Sequence, residues 1–228
     1  MKRNLVAICF LLLVGMVGYA QSEYSSHVIE KGIEKGDTLF SLFAGPAFPL
    51  NKSGIKVESD LGMKELEWGN TGTQYGFSVL QFINSYLGAG VEVSGMTTAH
   101  ASKWVDDEKL KTSMNLINAM LTARVNVNPH NPVRFYIPFG AGITSAQGKV
   151  KVADSDEASI KARTNSFGYF VGAGLETNLG SKGGAIGIET RYTGFRFNTD
   201  KFGDDGEKIA GKRNYRYLSV LLKLSYRF

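Results

Sequence analysis

The feature that most constrains this chain is an alternation of large apolar residues with small or polar ones, in which pairs of glycines keep to the polar positions. Successive side chains of a strand point to opposite faces, so period-two alternation reads as strand with two unlike faces. Between Val133 and Thr144 one face carries Val133, Phe135, Ile137, Phe139, Ala141 and Ile143. The other carries Arg134, Tyr136, Pro138, Gly140, Gly142 and Thr144. From Ser166 to Glu176, Phe167, Tyr169, Val171, Ala173 and Leu175 oppose Gly168, Phe170, Gly172, Gly174 and Glu176. In the run that ends at Phe228, Leu218, Val220, Leu222, Leu224 and Tyr226 oppose Tyr217, Ser219, Leu221, Lys223, Ser225 and Arg227.

Alternation alone also fits a water-soluble sandwich with the apolar face inside. Three details favour the inverse. Glycine weakens a strand and is a poor surface residue, yet Gly88/Gly90, Gly140/Gly142 and Gly172/Gly174 all lie on the polar face. Inside a narrow barrel they make room for long neighbours. The charges on that face are mixed and isolated: Glu92, Glu176 and Glu189 against Arg124, Arg134, Arg191, Lys223 and Arg227. That set predicts a buried ion-pair network in a lumen. Tyrosine and phenylalanine gather near strand ends, at Phe135, Tyr226 and Phe228 and at Phe167, Tyr169 and Tyr192, as in interfacial girdles. In hydrocarbon every backbone polar group must be paired within the protein, so strands can span only as a closed barrel.

Eight such runs are predicted: 38–45, 73–82, 86–96, 115–127, 133–144, 166–178, 185–197 and the terminal run. Polar loops of roughly 13 to 24 residues follow the first, third, fifth and seventh, and turns of about two to six follow the second, fourth and sixth. The order predicts an all-β fold: an eight-stranded antiparallel up-and-down transmembrane β-barrel with short periplasmic turns and long extracellular loops.

The chain opens on Met1-Lys2-Arg3, continues through an apolar stretch from Leu5 to Val17, and reaches small residues at Gly18-Tyr19-Ala20. This is the secretory signal pattern, and its apolar core of about 13 residues is short of the roughly 20 a spanning helix needs. The expected organisation is a cleavable signal peptide over 1–20, a polar leader over 21–36 and the barrel over 37–228. Cys9, the one cysteine, falls in the signal segment, which excludes a disulfide scaffold. Removing Lys2 and Arg3 lowers the net charge of +5 to about +3, too mild to imply a partner.

On its alternating strands, loop order, signal segment and terminal Tyr226-Arg227-Phe228, the sequence resembles the small eight-stranded outer-membrane barrels of Gram-negative bacteria, the OmpA/OmpX-like or porin-like class. The resemblance implies that Leu222, Leu224, Tyr226 and Phe228 form the signal read by the barrel-assembly machinery. It further implies a monomer in contact with outer-membrane lipids and lipopolysaccharide, able to meet an extracellular ligand through its loops. The expected function is an envelope structural or surface interaction component with a filled interior. The alternatives are a small channel and a lipid A-modifying enzyme.

Residues that carry chemistry are sparse. His27, His100 and His130 are scattered without metal-ligand spacing. The spacing His100-Ala-Ser102 resembles that of lipid A deacylases, and a histidine can serve as base for a serine nucleophile, but two residues alone read as polar loop. Asp154-Ser-Asp-Glu157 and Asp204-Asp-Gly-Glu207 lack the twelve-residue calcium-loop pattern. Trp68 and Trp104 fall in expected external loops, where interfacial packing is the simpler role. Basic residues are interspersed with acidic ones, which argues against a nucleic-acid footprint. The in-strand glycines precede no helix and form no phosphate cradle. The expectation is a non-enzyme without cofactor or metal.

Overall fold

The computed structural model describes residues 32–50, 54–57, 64–67, 71–99, 101–105, 108–152, 159–179, 183–198 and 212–228, and these contain strands and no helix. The elements are β1 (Thr38–Pro49), β2 (Gly54–Val57), β3 (Lys64–Glu67), β4 (Gly72–Phe82), β5 (Leu87–Thr98), β6 (Ala101–Val105), β7 (Glu108–Asn126), β8 (Val133–Val152), β9 (Ser159–Asn178), β10 (Gly184–Asn198) and β11 (Lys212–Arg227). Every pairing is antiparallel, in the order β5-β4-β1-β11-β10-β9-β8-β7, and β5 pairs with β7 to close the circle. This is the expected eight-stave barrel.

The three further elements do not add staves. β6 continues the stave begun by β5: Thr97 lies opposite Asn115 and Ala101 opposite Thr112 on the same neighbour, a register step of one residue as at a bulge. β2 and β3 form a separate two-stranded hairpin between β1 and β4.

Two of the short turns owe their shape to asparagine. The Asn84 carboxamide oxygen accepts from the backbone N–H of Tyr86 and of Leu87, and that of Asn128 accepts from Phe135 N–H. Such side-chain mimicry of a turn is why asparagine punctuates strands. On the opposite rim the strands run further than alternation suggests. β8 continues to Val152 and β9 begins at Ser159, so much of the expected loop after Thr144 is an extended ladder, with Lys149 opposite Lys161. Beyond Thr144 the apolar residues change parity, Ala146, Val150 and Val152 alternating with Ser145, Lys149 and Lys151, so a strand followed along its outward apolar face is lost there.

The faces are inverted with respect to a soluble protein. Leu121, Ile143, Phe167 and Leu222 are each more than half exposed, while Arg124, Arg191 and Glu189 are at most 2% exposed. From Val133 to Ile143, at about 3.4 Å per residue and a tilt of about 40°, the outward apolar run of β8 rises roughly 25 Å, the height of a barrel's lipid band. The glycines make the room expected of them. A methyl group on Gly174 would strike the Tyr136 ring, and one on Gly140 would come within 2.5 Å of Phe170.

Candidate functional site

The site is the inward face of the barrel. The inward face of each stave delivers a few long side chains between small ones, and these meet in two connected clusters. In the cluster nearer the short turns, Glu176 of β9 receives both guanidinium ends of Arg124 from β7, one at 2.7 Å, and Arg134 Nε of β8 at 3.1 Å. Arg124 Nε also donates to Asn126 Oδ1 at 2.7 Å, and Asn126 Nδ2 to the Ser85 carbonyl at 2.9 Å, which ties the cluster to the turn before β5.

In the second cluster, Arg191 of β10 donates through Nε to Glu189 Oε1 at 2.8 Å and through a terminal nitrogen to Glu92 of β5. The other oxygen of Glu189 accepts from Lys223 Nζ of β11 at 3.3 Å and from the Tyr136 hydroxyl at 3.1 Å. Tyr136 joins the two clusters, because its ring also lies under the Arg124 guanidinium at 3.8 Å and near Lys223 Nζ at 5.1 Å. Arg191 is stacked in turn on Phe170 at 4.0 Å and on Phe43 at 4.9 Å. A desolvated cation on an aromatic face gains about 2 kcal/mol beyond its hydrogen bonds.

Charge cannot be buried so deeply without such pairing; an isolated buried ion costs several kcal/mol even after relaxation. Four cations meet three carboxylates here, all of them buried. On the long-loop side the described lining residues are uncharged: Ser219 donates to Gln74, Thr144 to Asn118 Oδ1 at 2.8 Å, and Asn118 Nδ2 to Ser94 at 3.2 Å.

Seven of the expected lumen residues, Glu92, Arg124, Arg134, Glu176, Glu189, Arg191 and Lys223, therefore share one connected set. Arg227 stands apart at the short-turn mouth, where it donates to the Gly32 carbonyl at 2.6 Å and faces Asp37 at 3.6 Å. There Ile33 packs with Leu39, Leu80 and Phe82 and lays residues 32–37 under the mouth, so this part of the leader is docked. Of the four terminal-strand residues, Leu222, Leu224, Tyr226 and Phe228 are 53%, 50%, 51% and 70% exposed on the outer face. His100, Trp68, the acidic groups 154–157 and 204–207, and the segment 1–31 lie outside the described residues, as do the side chains of Ser102 and Trp104. Among the described residues no group of histidine, cysteine or carboxylate side chains is arranged to hold a metal ion.

Sequence reasoning missed Tyr136, Phe170 and Phe43 as parts of the network. The signal available was their position: each is an aromatic residue on the small, polar parity of its strand.

A closed antiparallel barrel with an apolar exterior about one bilayer tall and an ion-paired interior is an integral outer-membrane barrel. The chain belongs to the outer membrane protein beta-barrel domain family, whose model matches residues 14–228. Among solved structures it is similar to the outer membrane protein OprG from Pseudomonas aeruginosa, at 14% identity over 86% of this chain and 98% of that chain, TM-score 0.58. It is also similar to Neisserial surface protein A, at 15% identity over 86% of this chain and 99% of that chain, TM-score 0.47. A third similar structure is a major outer membrane protein from Thermus thermophilus, at 13% identity over 84% of this chain and 99% of that chain, TM-score 0.47. These likenesses concern the fold alone. No curated protein matches the sequence.

Proposed function

We propose that the protein is a plugged outer-membrane barrel that acts as a structural or surface interaction component of the envelope, its loops turned outward and its interior serving stability rather than transport. One observation carries this reading: Arg124, Arg191, Glu176 and Glu189, all at most 2% exposed, lie across the lumen and bind one another instead of lining a water column. Eight staves enclose a space that side chains can fill, which supports this reading. In this reading export depends on the signal segment, insertion depends on the terminal strand, and no step is catalytic.

Refolded protein in planar bilayers should show no steady conductance. Stable openings from the unaltered protein would overturn the plugged-lumen reading in favour of a small channel. Outward loops make a second demand: an epitope inserted between Asp154 and Ser155 should be reached by antibody on intact cells. Labelling only after the outer membrane is broken would reverse the orientation.

A further inference from the structure

Residues 32–37 cross the short-turn mouth from one wall to the other. Around the circle β8 is the fourth stave from β1 in either direction, so the turn between β7 and β8 faces β1 across the lumen. The segment leaves β1 beside β4, where Gly36 N–H donates to the Phe82 carbonyl and Phe82 N–H to that of Asp37, both at 2.8 Å. Its other end meets the far turn. Ile33 N–H donates to the Pro129 carbonyl at 3.5 Å, and a methyl group on Gly32 would lie 2.8 Å from His130 Nδ1. Between those ends Ile33, 1% exposed, sits against Leu39, Leu80 and Phe82. These three have the inward parity of Ser41 and Phe43 on β1 and of Ser78 on β4. They form a floor to the charged cluster, because the Phe82 ring also lies 5.9 Å from the Arg124 guanidinium.

The two sides of this contact are held unequally. The β7–β8 turn is braced by Asn128, whose side chain accepts from Phe135 N–H at 2.6 Å and donates to the Val133 carbonyl at 2.8 Å. Asn126 ties the end of β7 to the neighbouring turn through the Ser85 carbonyl. The crossing segment depends on one apolar side chain and one guanidinium. Arg227 donates to the Gly32 carbonyl at 2.6 Å and faces Asp37 at 3.6 Å, while Glu34, Lys35 and Gly36 are exposed. A stretch with so few buried contacts opens locally at far lower cost than the barrel that carries it.

We propose that residues 32–37 are a strap that seals the short-turn mouth and detaches as a unit, admitting water to the cluster of Arg124, Arg134 and Glu176 while the eight staves stay paired. Ile33 is the stopper and Arg227 the catch. The seat on the far wall stays in place when the strap leaves, because its own hydrogen bonds do not involve the strap. The inference is separate from the plugged-lumen reading: the strap keeps water off one end of the ion pairs whether or not those pairs stop a current. A conducting barrel would leave it standing.

The test uses the chain from Gln21, which holds no cysteine, refolded in detergent micelles with one thiol introduced by Ser41→Cys. Ser41 is wholly buried, one inward position above Leu39. Labelling by a water-soluble maleimide should be slow, and adding Ile33→Ala should speed it about thirtyfold, the rise in open strap expected when a buried isoleucine is cut to alanine. A thiol placed instead by Ser94→Cys, on the long-loop side, should label at one rate with or without Ile33→Ala. That control separates release of the strap from loosening of the whole barrel, and folding is verified by gel mobility without heating. Unchanged labelling of Ser41→Cys when Ile33→Ala is added, or equal acceleration of both thiols, overturns the proposal. If Ile33→Ala does not fold, Arg227→Gln decides by the same criteria, with an expected acceleration of about fivefold from the lost hydrogen bond to Gly32.

Discussion

Glu176 holds two guanidiniums at once, and Arg124, one of them, has no exposed surface. Removing the carboxylate charge strands both cations, and a buried pair broken from one side costs about 3 to 5 kcal/mol. Glu176→Gln should therefore destabilise the refolded barrel by that amount in urea titrations followed by the heat-sensitive gel shift. Apolar replacement of Arg124, Arg134 and Glu176 together should cost much less. Gly174→Ala makes a steric demand instead of an electrostatic one. Its methyl group meets the Tyr136 ring, and the displaced ring weakens its contacts with Arg124 and Glu189 at about 1 to 3 kcal/mol by the same measurement. At this scale the site was legible in part. Strand parity pointed Glu189, Arg191 and Lys223 inward because charge on the lipid side is prohibitive. It could not say which partner each would find, since that depends on stagger across non-neighbouring strands: Glu92 and Arg191 are 99 residues apart in sequence. Arg227, of the right parity but in the last rung at the short-turn mouth, shows the limit of the argument.

The elements differ in how openly the sequence displays them. Staves with one lipid face, such as β5 and β11, declare themselves by alternation, and their parities agree with the burial of Glu92 and Lys223. In the upper halves of β8 and β9 the apolar residues change parity, as Val150 and Val152 alternate with Lys149 and Lys151; their ladder from Ala146↔Thr164 to Lys151↔Ser159 is carried by backbone hydrogen bonding. Pro138 leaves its own mark: the β8–β9 pairing is interrupted between Tyr136↔Gly174 and Phe139↔Val171 and resumes in the same register, as expected where one residue has no N–H to give. The docked stretch before β1 was invisible to periodicity because it rests chiefly on one side chain, Ile33, and on a left-handed turn at Gly36 with φ of 91°. Ile33→Ala should release residues 32–37 and leave the barrel intact, seen as fast amide exchange at Gly36 and at Phe82, whose N–H donates to the Asp37 carbonyl, while the other strand amides stay protected. Phe228 belongs to the terminal strand but is 70% exposed, so Phe228→Ala should refold normally in detergent. Its accumulation in the outer membrane of cells should fall severalfold if the terminal aromatic is an insertion signal.

For the whole molecule, the inversion of faces is the main physical fact, and the composition concealed it. With 43% hydrophobic residues the chain looks like any soluble protein, because the polar residues that would coat a surface are spent on the lumen and loops. N-terminal sequencing of protein isolated from outer membranes should begin at Gln21, with Met1 to Ala20 removed; an intact Met1 would contradict the signal-peptide reading. The seam where β1 meets β11, pairing Leu39 with Arg227, has a consequence for timing. Those partners bound almost the entire barrel sequence, so the contact that completes the ring has the greatest loop to close and is the slowest kind to form. Until β11 arrives, one edge of β1 is unsatisfied and ready to pair with any passing strand. A chain built this way needs an escort during transit more than a stronger core, and its hazard is greatest just before the circle is joined.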